Sequence, residues 1–233
     1  HPQSIPENAI ISIIGRYEKF IREHPESPLA SKAQLSMGNI YLFRNDYPKA
    51  REIFEQIIKN YSYNAGVAAR AQFALGRSFE DEGNWPKAHA IYKTIIRDYP
   101  LTATGFSVPY YIGQNYVARG SKAQADKAFD EAVEFYQNIA VNNPNGPLQY
   151  AALRMLMECR LTQEKWHDAV DAAKQLMFEY PSAPTLFDTV AVIKNICVKN
   201  MNDAGCAIDT YHEFMKKNPG HPINPMLHKV ITN

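Results

Sequence analysis

Apolar residues recur three and four positions apart over most of the chain, the spacing that places them on one face of an α-helix. The stretch 47–62 shows this pattern with Ala50, Ile53, Phe54 and Ile57. Short polar segments such as RND, DEGN and TQEK separate successive runs, and their length suits antiparallel helical hairpins. The pattern predicts an all-α chain built from helix pairs.

The paired runs repeat and end at a proline. YPKAREIFEQIIKNYS (47–62) aligns with WPKAHAIYKTIIRDYP (85–100) at an offset of 38 residues. Proline lacks a backbone N–H and disfavours helical geometry in the residue before it, so each second helix stops there. The equivalent stops are Pro25, Ser62, Pro100, Pro144, Pro181 and Pro219. We therefore predict a single solenoid over 1–233, with a half unit at 7–25, full units at 28–62, 65–100, 103–144, 147–181 and 184–219, and a tail at 220–233.

The third unit is longer than the others. Gly76 and Ala88 are 12 residues apart, whereas their equivalents Gly113 and Ala132 are 19 apart, and the seven additional residues make two helical turns. We expect one long helix over about 122–141. It is either a docking ridge or a neutral insertion.

The units at 31–62 and 69–100 resemble the tetratricopeptide repeat (TPR). The matching residues are Leu75-Gly76, Phe79, Ala88, Tyr92 and Pro100. The resemblance implies a right-handed TPR superhelix, an α-solenoid of about five helical hairpins plus an N-terminal lone helix. The last two units depart from the pattern, with Met157 and Asn195 where glycine is expected.

A narrower resemblance concerns HPESPLASKAQLSMGNIY at 24–41. It is similar to bacterial envelope TPR proteins of the outer-membrane assembly lipoprotein (BamD) type and the Tol-Pal coordinator type. This likeness implies a periplasmic or envelope-associated setting, with a cytoplasmic one as the alternative. It also allows a membrane tether outside the visible chain.

Charge and motifs narrow the class of function. Lys+Arg 25 against Asp+Glu 24 gives a formal charge of +1, which offers no basic excess for a nucleic-acid backbone. No apolar stretch approaches the roughly 18 residues of a membrane span. The sequence has no phosphate-loop, zinc-protease or serine-hydrolase motif, so we expect no enzyme activity, no cofactor and no metal. The chain begins with His1-Pro2 and has no signal-peptide pattern, so we expect a processed product or a fragment.

The resemblance places binding on the concave face, which first helices line in TPR arrays. A mixture of aromatic, arginine and amide side chains there suits an extended or helical peptide, or a protein partner. The partner-binding candidates are Asn39, Arg70, Phe73, Arg77, Tyr110, Gln114, Arg154 and Glu158. The carboxylate clamp of chaperone-binding TPRs is not expected, because Asn39 alone matches its pattern.

Cys197 and Cys206 are the remaining candidates. In the repeat register they fall nearly opposite each other in the last hairpin, so a disulfide is possible in an oxidising compartment. Two buried thiols are the alternative.

The resemblance thus implies a non-enzymatic scaffold that binds a peptide or protein partner on its concave face, in a bacterial envelope assembly. Two alternatives stay open. The chain is a structural spacer or oligomerisation module, or it is the TPR region of a larger enzyme or receptor.

Overall fold

The computed structural model describes residues 6–232, and over these residues it is helical, with no strand. The prediction of an all-α fold of TPR-like hairpins is confirmed. The elements are α1 (Glu7–Glu23), α2 (Ala30–Phe43), α3 (Tyr47–Asn60), α4 (Ala65–Asp81), α5 (Trp85–Asp98), α6 (Ala103–Ala118), α7 (Lys122–Asn142), α8 (Pro147–Thr162), α9 (Trp166–Glu179), α10 (Leu186–Asn195), a π-helical segment (Ile196–Asn200), α11 (Ala204–Lys217) and α12 (Asn224–Thr232).

Most helices pair as the repeat predicts. First helices α2, α4, α6, α8 and α10 are each followed by a second helix, and α1 is a second helix without a preceding first helix among the described residues. The helix α12 lies in the stretch predicted as a tail, in the register of a further first helix. Residues 1–5 and 233, which the domain prediction also includes, lie outside the described residues.

The chain forms two compact units that divide after Ile112, inside α6. The first unit contains α1 to α5 and the first part of α6, and the second contains the remaining elements. The single solenoid over 1–233 stays a prediction.

A glycine on the first helix opposite an aromatic ring on the second helix sets the distance within three hairpins. The pairs are Gly38 with Phe54 and Gly76 with Tyr92 in the first unit, and Gly113 with Phe129 in the second. Each ring comes seven residues after the start of its helix and is 0%, 0% and 1% exposed, respectively. A Cβ on any of these glycines would overlap the ring, so the helices can approach this closely only where the side chain is absent.

In the fourth hairpin the large side chain lies on the first helix and the small one on the second helix. Met157 occupies the glycine position of α8, and Ala173 occupies the aromatic position of α9. Both residues are buried, so a large residue on the first helix is matched with a small one on the second. A volume-conserving exchange of this kind is the core change that packing tolerates best.

Each turn between a first and a second helix contains one residue with a positive φ angle, directly before the N-cap. The residues are Asn45, Gly83, Gly120, Glu164 and Asn202. In four of these hairpins the N-cap N–H donates to a carbonyl five residues earlier, as from Asn84 to Phe79 at 2.7 Å. In the last hairpin the Asp203 N–H reaches back six residues, to Cys197 at 2.7 Å. The π-helical segment Ile196–Asn200 accommodates this additional residue.

The long helix of the third unit is confirmed, since α7 has 21 residues whereas α3, α5, α9 and α11 each have 14. The predicted equivalence of Ala132 with Ala88 is wrong. Gly113 packs on Phe129, 16 residues later, as Gly76 does on Tyr92, so Ala125 holds the position of Ala88 and the seven additional residues extend the end of α7.

On α7, Asp130 accepts hydrogen bonds from Arg160 at 2.7 Å and Lys165 at 2.8 Å. Burial disfavours ionisation of Asp130, but hydrogen bonds from Lys165, Gln163 and Arg160 outweigh it and lower the pKa to about 2. A charged carboxylate therefore ties α7 to α8 and to the start of α9.

Replacing Gly76 with alanine should destabilise the protein, because the new methyl group would overlap the buried Tyr92 ring, whose Cδ1 atom would lie only 3.0 Å away. We expect a loss of about 1–3 kcal/mol in the free energy of unfolding, measured by urea denaturation. Gly15→Ala in α1 is the matched control. It meets nothing within 4 Å and should gain up to about 1 kcal/mol from helix propensity. Equal effects of the two changes would contradict the packing role of Gly76.

Replacing Glu164 with glycine should stabilise the protein. Glu164 has φ 59°, a left-handed conformation that costs an L-residue roughly 1–2 kcal/mol and glycine almost nothing. We expect a gain of about 0.5–1 kcal/mol, seen as a higher urea midpoint. Gly83→Ala at the equivalent turn, where φ is 89°, should shift the midpoint in the opposite direction. A lower midpoint for Glu164→Gly would contradict the strain argument.

Candidate functional site

An open groove of about 700 Å³ lies between α2 and α4, the two consecutive first helices of the first unit. We call it the α2–α4 groove. It is lined by Leu35, Asn39, Leu42, Phe43, Asn45, Tyr47, Arg70, Phe73, Ala74, Arg77 and Asp81. Four of the residues predicted to bind a partner, Asn39, Arg70, Phe73 and Arg77, therefore lie together in one groove.

An aromatic cluster fixes the position of Phe73. Its ring centroid lies 5.4 Å from that of Tyr92 and 5.1 Å from that of Tyr111. The Tyr92 and Tyr111 hydroxyls both donate to Glu80 Oε2, at 2.7 Å and 2.8 Å. Burial, together with the hydrogen bonds to Glu80, raises the pKa of both tyrosines, so the hydroxyls stay protonated donors at neutral pH. The cluster packs this part of the groove wall against α5 and α6.

The Arg77 guanidinium forms an ion pair within α4. Its Nη2 atom lies 3.4 Å from Asp81 Oδ1, one helical turn further along α4. Its Nε atom is buried and has no hydrogen-bond partner among the described residues. The guanidinium and the carboxylate thus form a loose pair at one end of the groove.

The Asn39 amide and the Arg70 Nη atoms are polar groups without a hydrogen-bond or ion-pair partner among the described residues. The Asn39 amide is exposed, and no described residue bonds to it. Arg70 is exposed, and its Nε donates to the Gly66 carbonyl at 3.1 Å. That bond leaves its Nη atoms without an ion-pair partner among the described residues.

Apart from Asn39, the groove wall on α2 is apolar. Leu35 and Leu42 are half-buried, and Phe43 at the end of the helix is 82% exposed. An exposed ring of this size beside unused hydrogen-bonding groups suits a bound segment with apolar side chains.

The other predicted residues lie elsewhere. Tyr110, on α6 in the first unit, is half-buried and does not line the groove. Gln114, Arg154 and Glu158 belong to the second unit. Arg154 is exposed and Glu158 half-buried, one turn apart on α8. Whether any of the eight residues binds a partner stays a prediction.

Part of the groove and of its support was not predicted from the sequence. Phe43, Tyr47 and Asp81 line it but sit where helices end or begin, outside the periodic positions used for prediction. Tyr111 was also missed. A signal existed, because Tyr92 carries a hydroxyl where the equivalent residues are Phe54 and Phe129, and a buried hydroxyl requires a partner.

The two candidate cysteines meet in the last hairpin. Cys197, in the π-helical segment, and Cys206, in α11, form a disulfide with Cα atoms 5.7 Å apart. The Cys206 N–H is capped by the Asp203 side chain at 3.2 Å. Cys159 is a buried free thiol, and burial raises its pKa to about 12. The redox state of the pair in the cell stays a prediction.

Within residues 6–232 no cluster of three or more His, Cys, Asp or Glu side chains could hold a metal ion. In the same part of the chain, no helix combines the length and apolar character needed to cross a membrane.

The first part of the chain matches a family model described as tetratricopeptide repeat, over residues 14–65 and 35–103. The matched region runs from α1 to the start of α6, and it includes the α2–α4 groove. The TPR resemblance is supported there, and the later hairpins share the architecture. The TPR fold is generally a protein–protein interaction module, and it is typically non-catalytic.

One solved structure shares the fold at low identity, and a second is a weaker match. BtubC (BKLC) from P. vanneervenii is 13% identical, with 93% of each chain covered and a TM-score of 0.53. A tetratricopeptide repeat protein from Parabacteroides merdae ATCC 43184 is 14% identical, covering 97% of this chain and 94% of that chain at a TM-score of 0.41. The first likeness shows the fold alone, and the second is too weak to add to it. No curated protein matches the sequence.

Reducing the disulfide should loosen the last hairpin, because the bond closes a short loop that would otherwise be free in the unfolded chain. We expect a loss of about 2–3 kcal/mol in stability and faster hydrogen exchange over 196–203 after treatment with dithiothreitol. The variant Cys197→Ser/Cys206→Ser should not respond to the reductant.

Alkylation provides a second measurement. In denaturant the oxidised protein should take up one label, on Cys159, and the reduced protein three, because unfolding exposes every free thiol. Three labels on the unfolded protein before any reduction would contradict the disulfide.

Proposed function

We propose that this protein is a non-enzymatic scaffold that binds a peptide or protein segment in the α2–α4 groove. The observation that carries the proposal is the grouping of Asn39, Arg70, Phe73 and Arg77 in one open groove. These residues come from a surface that the TPR resemblance assigns to partner binding.

The chemistry of the groove supports this function. The Phe73 ring is already packed against Tyr92 and Tyr111, and preorganisation of this kind improves affinity. The apolar side chains Leu35, Leu42 and Phe43 offer area to bury. Asn39 and Arg70 supply a donor and acceptor amide and a charged donor.

We also propose a setting in a bacterial envelope assembly, in the periplasm or attached to the envelope. The support is the likeness of residues 24–41 to the envelope types, and it is independent of the groove.

Photo-crosslinking in the native cell tests both parts. A benzophenone side chain at Asn39, exposed in the groove, should capture a partner protein. The same probe at Gln56, exposed on α3 outside the groove, is the matched control and should not. Adding Phe43→Ser with Arg70→Ala should remove the crosslink at position 39, because both side chains line the groove. Recovery of the crosslinked partner from the envelope fraction would support the setting.

Other outcomes would contradict the proposal. Equal capture by the two probes, or none by either, would exclude the groove as a partner site. Crosslinks only between copies of this chain would favour the oligomerisation module instead. A partner from the cytoplasmic fraction would exclude the envelope setting and leave the groove function intact.

A further inference from the structure

One end of the α2–α4 groove carries positive charge that no described carboxylate neutralises. Arg70 lines the groove, and Lys32 holds the same register position on α2. Both are exposed, and neither has an ion-pair partner among the described residues. Because α2 and α4 are both first helices and run in the same direction, the two cations mark the same end.

The other charged lining residues compensate each other. Arg77 and Asp81 form a pair at 3.4 Å toward the opposite end of the groove. Among the lining residues the Arg70 guanidinium is therefore the charge without an ion-pair partner. A carboxylate on the bound partner would neutralise it.

Apolar and polar positions alternate beyond that end. The next register level holds Leu35 and Phe73, and the following one holds Asn39 and Arg77. The last holds Leu42 beside Phe43 on α2, with Asp81 of the Arg77–Asp81 pair at the corresponding position on α4. The unpaired Asn39 amide can both donate to and accept from a peptide backbone that passes between the apolar levels.

The length of the groove fits an extended chain. Ten residues separate the register level of Arg70 and Lys32 from that of Leu42, which is about 15 Å along a helix. An extended segment rises roughly 3.3 Å per residue, so about five residues cover this distance. Side chains of an extended segment alternate, so residues two and four positions from the first one face the same side.

We propose that the occupant of the groove is an extended peptide segment with an acidic residue at Arg70 and apolar residues two and four positions away. This inference rests on the proposed function and specifies its partner class. It concerns a side-chain carboxylate at a position outside the carboxylate-clamp pattern, which this sequence lacks.

Four synthetic heptapeptides test the inference, each blocked at both termini and labelled for fluorescence anisotropy. Two carry glutamate, in the orders Ser-Glu-Ser-Leu-Ser-Leu-Ser and Ser-Leu-Ser-Leu-Ser-Glu-Ser, so that both chain directions are sampled. The other two carry lysine in place of glutamate. At low ionic strength the unaltered protein should bind one glutamate peptide about fivefold more tightly than its lysine counterpart. Added salt should reduce the preference.

Substitution of Arg70 should change the preference in a defined way. Arg70→Glu should reverse it, and Arg70→Gln should abolish it without adding a charge. Arg16→Glu, an exposed arginine on α1 outside the groove, makes the same charge change and should leave the preference as it was. Circular dichroism of each variant would establish that it is folded.

The possible failures are distinguishable. A preference that Arg70→Glu does not alter, or no binding of any of the four peptides, would overturn the acidic-segment inference. If a probe at Asn39 still captures a partner in that case, the groove function stands and its occupant has another chemistry. If the crosslink also fails, both proposals are wrong.

Discussion

The approach of a glycine to an aromatic ring is the contact on which the hairpins depend. At Gly38, Gly76 and Gly113 the absence of a side chain lets a first helix lie directly on a buried ring of the second helix. That contact fixes which face of each first helix turns inward. On α2 the neighbouring face, with Leu35, Asn39 and Leu42, is consequently left to line the groove.

The repeat tolerates change where this geometry is kept. Met157 and Ala173 exchange the large and small positions and remain buried, so a glycine is not obligatory if the volumes still match. Seven additional residues extend α7 by two whole turns after the Gly113–Phe129 contact, so that contact keeps the register of the other hairpins. A single additional residue before Asp203 lies inside the last hairpin and is not a whole turn, and it appears as a π-helical segment. An insertion of whole turns thus lengthens a regular α-helix, whereas an insertion of one residue distorts it.

Most of the fold followed from periodicity, because the 38-residue register places prolines, small residues and aromatic residues at equivalent points of each hairpin. The candidate site followed less completely. Helical positions identified Asn39 and Arg77, since register alone places them. They missed Phe43 and Tyr47 because residues at helix ends obey turn geometry and not the period of 3.6. They also missed the bonds from Tyr92 and Tyr111 to Glu80, which join three different helices.

The strongest indication of function is a contrast in how polar groups are satisfied. Several buried or half-buried polar side chains are paired inside the protein, as with Tyr92 and Tyr111 on Glu80, whereas the buried Arg77 Nε and Gln34 Oε1 atoms have no described hydrogen-bond partner. A buried group without a partner costs stability, so such pairing is expected of any folded protein. In the α2–α4 groove, Asn39 has no described hydrogen-bond partner and the Arg70 Nη atoms have no described ion-pair partner, and both side chains are exposed beside apolar residues. Folding does not require an amide and a guanidinium at the edge of an apolar groove, whereas recognition of a segment that carries both apolar and polar groups does.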